Sequence, residues 1–61
     1  MLIYPQQSIQ EIITQEVQSR IIFENYGINI EIDTERSLIE IAEARFLQLD
    51  AFIEDLNLML N

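Results

Sequence analysis

The sequence predicts a mainly α-helical fold: a short helix, a short extended segment and a long helix, forming a hairpin that dimerisation or higher oligomerisation completes into a bundle. Three observations predict it. Apolar residues recur at helical spacing on both sides of the single glycine, Gly27; residues 34–60 contain neither Gly nor Pro; and 49% of the 61 residues are hydrophobic. A chain this short buries only about 60% of the surface its unfolded form exposes, so it needs a staple. Cysteine and histidine are both absent, which removes disulfides and the familiar zinc sites and leaves a partner chain as the remaining support.

Residues 1–7 read as an N-terminal arm, with the apolar run Leu2–Tyr4 stopped by Pro5. Residues 8–61 read as a single helical domain. Ser8 opens the motif S-I-Q-E, a capping box with Glu11, and so starts a helix over about 8–26. Ile9, Ile12, Ile13, Val17 and Ile21 share one arc of that helix, and Glu16, Arg20 and Glu24 climb beside them at spacings of four. Gly27 ends it, because glycine takes a left-handed backbone without steric cost.

Residues 28–32 (I-N-I-E-I) alternate apolar and polar, which predicts an extended segment with three isoleucines on one side. Asp33 or Thr34 then caps a second helix over about 34–60, with Glu35 in its first turn. Twenty-six residues at 1.5 Å each span roughly 39 Å, longer than the first helix can cover.

That long helix carries the candidate interface. Leu38, Ala42, Arg45, Leu49, Phe52, Leu56 and Met59 recur alternately four and three residues apart, and Ile41 and Ile53 widen the stripe, with Phe46 and Leu60 at its flanks. Plain core is the ordinary meaning of such a stripe. Its width beyond what the first helix can cover is what points to another copy or another protein. Arg45 is the polar member of the seam and needs either a carboxylate, with Glu16 and Glu24 the natural partners in a polar set that also includes Arg20, or a place at the rim. Leu47 and Leu58 fall on the opposite side among Glu40, Glu54 and Asp55, which makes a second contact surface there the lesser expectation.

The chemistry of catalysis is thin. Without His, Cys or Lys, the usual general base, thiolate and Schiff-base amine are missing, and Ser8, Ser19 and Ser37 have no imidazole to activate them. The alternation Glu31, Asp33, Glu35 suggests a calcium loop superficially, but Arg36 stands where the loop needs glycine and Ala42 where it needs a distal glutamate. One glycine cannot build a phosphate-binding loop. We therefore expect no enzyme, no cofactor and no small-molecule ligand. Eleven acidic residues against Arg20, Arg36 and Arg45 give a net charge of −8, which disfavours direct contact with nucleic acid or an anionic membrane surface.

The absence of a basic leader and of a long apolar run points to the cytoplasm. The functional expectation is a small acidic protein–protein interaction module, such as an adaptor, assembly factor, small chaperone or inhibitor with a regulatory role. It would act as a homo-oligomer that also engages another protein. The alternative is an acidic mimic of nucleic acid that blocks a basic nucleic-acid-binding protein.

Overall fold

A computed structural model describes residues 3–60; Met1, Leu2 and Asn61, and with them part of the predicted N-terminal arm, lie outside the described residues. The protein is mainly helical. Five helices run in order through the described residues: α1 (Ile9–Gln15), α2 (Ser19–Asn25), α3 (Ile30–Asp33), α4 (Leu38–Arg45) and α5 (Leu49–Leu60). α5 packs on α2 and α4, α1 on α2, and α2 on α3.

Each long element of the predicted hairpin is thus two shorter ones. The expected helix over 8–26 breaks between Gln15 and Ser19 without Gly or Pro. The Glu16 carbonyl there accepts from the Ser19 hydroxyl at 2.6 Å and from the Ser19 N–H at 3.0 Å, and Ser19 is fully buried. The break re-aims the apolar residues. In one continuous helix Ile22 would stand about 140° around the axis from Ile9, whereas the break lets Ile9, Ile12, Ile22 and Phe23 all face one core.

The predicted extended segment over 28–32 is a connector followed by a single helical turn. Asn29 caps that turn, its side-chain oxygen accepting from the N–H groups of Glu31 at 3.1 Å and Ile32 at 3.4 Å. Local side-chain capping overrides the alternating pattern.

The predicted helix over 34–60 begins later, at Leu38, and reverses at Phe46. Ser37 and Glu40 form a full capping box, with the Glu40 N–H donating to the Ser37 hydroxyl and the Ser37 N–H to the Glu40 carboxylate, both at 3.2 Å. Phe46 then takes a left-handed backbone (φ 57°, ψ 35°), and the Leu47 N–H donates back to the Ala42 carbonyl at 2.9 Å, the longer bond of a Schellman stop. The same stop ends α2. Gly27 has φ 78°, the Gly27 N–H donates to Glu24 at 2.9 Å and the Ile28 N–H to Phe23 at 3.0 Å. The molecule measures 26 × 23 × 20 Å along its principal axes, which leaves no room for a straight helix of roughly 39 Å.

The first turns of α1 and α4 meet. Ser8 and Ser37 form an isolated antiparallel bridge. The N–H groups of Ile9 and Gln10 donate to the carbonyls of Arg36 and Thr34, while those of Leu38 and Ile39 donate to Gln7 and Pro5. Each helix start therefore satisfies the other's orphan donors. Ile3, Ile9, Ile12, Ile22, Phe23, Ile28, Leu38, Ile41, Phe52 and Leu56 form the core around this clasp. The Phe52 ring meets Phe23 and Tyr26 edge to face, at centroid distances of 6.2 and 4.8 Å. No helix among the described residues is long and apolar enough to cross a membrane.

Candidate interaction surface

The reversal at Phe46 decides the fate of the heptad stripe. Ile41 and Phe52, eleven residues apart, would lie about 20° apart on a continuous helix, so folding α5 back on α4 closes the stripe onto itself. Leu38, Ile41, Ala42, Phe52 and Leu56 are consequently buried, Leu49 and Ile53 are half-buried, and only Arg45 and Met59 of the predicted interface stand exposed. The five buried members are core and not available to a partner.

The predicted polar pairing is also revised. Arg20 pairs with Glu24 at 3.4 Å along α2, with both side chains more than half exposed, a contact worth a few tenths of a kcal/mol at about the usual surface strength. Glu16 caps the end of α1. Arg45 makes no ion pair among the described residues with Glu16, Glu24 or any other carboxylate; its guanidinium lies over Gly27, 3.6 Å from where a Cβ there would sit. The other arginine, Arg36, pairs at 3.4 Å with the buried carboxylate of Asp33.

With the seam interior, the surface is set by what remains outside. Tyr4, Val17, Ile21, Ile32, Phe46, Leu58 and Met59 are large apolar side chains left in solvent. On α5 two of them share ground with other residues. Leu58, 70% exposed, is the common wall of two adjoining shallow depressions. One is lined by Asp50, Ile53, Glu54 and Asn57, the other by Ile22, Asn25, Tyr26, Asp55 and Met59, itself 65% exposed. Apolar and acidic side chains alternate around this face of the helix.

Several contacts hold this face in place. The Tyr26 hydroxyl donates to the Asp55 carboxylate while its ring rests on Phe52. That bond to a carboxylate, and secondarily partial burial, raise the Tyr26 pKa above its ordinary value. Asn57 accepts from the Ile3 N–H at 3.3 Å and so ties the N-terminal arm to α5. Asp50 sits in the first turn of α5, where the helix dipole stabilises its charge.

Leu58 was visible in the sequence as a lone leucine opposite the stripe. The pattern gave a surface there only second place, because the stripe opposite it looked like the one to be covered. Phe46 was visible only as a flank of the stripe, since a phenylalanine carries no mark of a left-handed stop. Comparison with known protein families, with characterised proteins and with solved structures yields no match.

Proposed function

We propose that this protein is a small protein-binding module whose docking surface is the outer face of α5, centred on Leu58 and Met59, of which only Met59 belongs to the heptad stripe that the sequence offers first. The observation that carries this reading is that Leu58, 70% exposed, lines two neighbouring depressions at once, one of them shared with the exposed Met59 and with Ile22 and Tyr26. Isolated exposed leucines need no explanation, whereas exposed apolar side chains that meet across a depression between two helices are a usual mark of a contact site. The carboxylates at 50, 54 and 55 interleave with Ile53, Leu58 and Met59, which favours a mixed apolar and acidic contact over mimicry of a phosphate array.

Self-association is the second reading, since a copy of the chain could cover the same leucine and methionine. A net charge of −8 opposes it. A photo-crosslinking amino acid placed at position 58 in the native host tests the main reading, with position 35 on the exposed connector before α4 as control. Docking on α5 gives a discrete adduct at 58 that is absent at 35. An adduct of twice the chain's mass indicates self-association, and no adduct at 58 removes the surface from consideration.

A further inference from the structure

The turn that folds α5 back on α4 consists of Phe46, Leu47 and Gln48, and it contains none of the residues that ordinarily hold a turn. The equivalent stop after α2 uses Gly27 at φ 78°, whereas here a phenylalanine stands at φ 57° with its ring 95% exposed. Its neighbours Arg45, Leu47, Gln48 and Leu49 are helix formers. Residues 34–60 hold neither Gly nor Pro, so no residue of the chain prevents α4 and α5 from joining into one helix over 38–60, about 34 Å long. On that straight helix Phe46 falls within about 60° of Ala42, Leu49 and Ile53 and within about 80° of Leu38 and Leu56. The ring joins an apolar face, the backbone strain disappears, and helical hydrogen bonds run on across residues 46–51.

We infer that two copies of this chain pair by exchanging α5: the turn at Phe46 opens into a continuous α4–α5 helix, and each α5 packs into the fold of the other copy. Each half of the pair repeats the contacts of the closed chain, with Phe52 against Phe23 and Tyr26 and the Asn57 side chain on the Ile3 N–H. Only the chain that supplies α5 changes. What the exchange adds lies at the hinge: two left-handed Phe46 residues become helical, and their rings are covered where the two hinge segments meet about the two-fold axis. Two terms oppose it. Association costs translational and rotational freedom, which makes the pair depend on concentration. Chains of charge −8 repel, which makes it depend on salt, because the screening length falls from about 10 Å at 0.1 M to about 3 Å at 1 M. The exchange uses the buried face of α5 and leaves Leu58 outside, so it stands or falls independently of the docking surface proposed above.

Sedimentation and NMR on the full chain test this. Equal amounts of 13C-labelled and unlabelled chain are unfolded together and refolded at high concentration, at low and at high salt. A dimer is expected whose share rises with concentration and with salt. Isotope-filtered NOEs are expected between the Phe23 ring of one chain and the Phe52 ring of the other. Two variants isolate the hinge. Phe46→Ala keeps the left-handed cost in the closed chain and Phe46→Gly removes it, so the glycine variant is expected to dimerise with a Kd at least about tenfold higher than the alanine variant.

A chain that stays monomeric up to its solubility limit overturns the inference. A dimer without interchain contacts between Phe23 and Phe52 also overturns it, because closed chains have then paired side by side. Equal dimer Kd values for the alanine and glycine variants overturn the strained turn as the cause of the exchange.

Discussion

Phe46 is the residue whose conformation and chemistry disagree most. A left-handed backbone costs a non-glycine residue roughly 1–2 kcal/mol, and at 95% exposure the Phe46 ring recovers none of it by burial. Phe46→Gly is therefore expected to stabilise the fold by about 1 kcal/mol, a rise of roughly 4–8 °C in Tm for a domain of this size; a lower Tm in calorimetry would mean the ring contributes to folding after all. Gly27→Ala should do the reverse, losing about 1–2 kcal/mol. An added Cβ would meet Arg45 only at ordinary contact distance, so the loss is backbone strain alone. Tyr26 provides a pH test. Its folded pKa lies above its ordinary 10.0, so the stability it contributes is fully present below pH 10 and is lost as pH rises through the folded value. In urea titrations, the stability gap between wild type and Tyr26→Phe should stay constant up to about pH 10 and shrink above it.

At the scale of elements, the fold depends on how its helices begin and end. The S-x-x-E motif occurs twice, at Ser8–Glu11 and Ser37–Glu40, and the two caps differ in completeness. Both exchanged bonds are present at Ser37, whereas at Ser8 the hydroxyl accepts from the Glu11 N–H at 3.1 Å and the Glu11 carboxylate accepts weakly from that hydroxyl at 3.4 Å. Ser37→Ala should accordingly cost about 1 kcal/mol and Ser8→Ala less, measured by denaturant midpoint at unchanged slope. The Ser8 start was legible because a helical pattern follows it directly. The Ser37 start carries the same letters, but the heptad stripe and the lack of Gly or Pro made residues 34–60 read as continuous. Likewise I-N-I-E-I reads as a strand until Asn29 is recognised as a cap, and capping depends on where the chain enters the turn.

For the whole molecule, a chain of 61 residues has a stability of roughly 3–9 kcal/mol at the usual 0.05–0.15 kcal/mol per residue. Phe52 is almost fully buried and touches Phe23 of α2 and Tyr26, the residue that caps the end of α2. Phe52→Ala should cost about 3–5 kcal/mol, a large share of that total, and is expected to abolish or nearly abolish the cooperative thermal transition seen by circular dichroism. Leu58→Glu should leave the transition where it is, because that side chain is outside the core. The contrast between these two α5 substitutions separates the face that folds the protein from the face proposed to bind.

The sequence alone determined the helical class, the stop at Gly27, the start at Ser8 and part of the inner face: Leu38, Ile41, Ala42, Phe52 and Leu56 were picked out as residues that must be covered, in one set with Arg45 and Met59, which stand exposed. Only the tertiary structure decided what covers them. A long helix paired with another chain and two helices folded on each other bury the same stripe, and local periodicity is identical in both. The choice turns on one left-handed residue, Phe46, and on the clasp between the first turns of α1 and α4, a contact between segments nearly thirty residues apart that no local pattern encodes. Once that choice spends most of the stripe inside, the proposed docking surface joins Met59, a stripe member left exposed, to Leu58, which the pattern had assigned to the back of the helix.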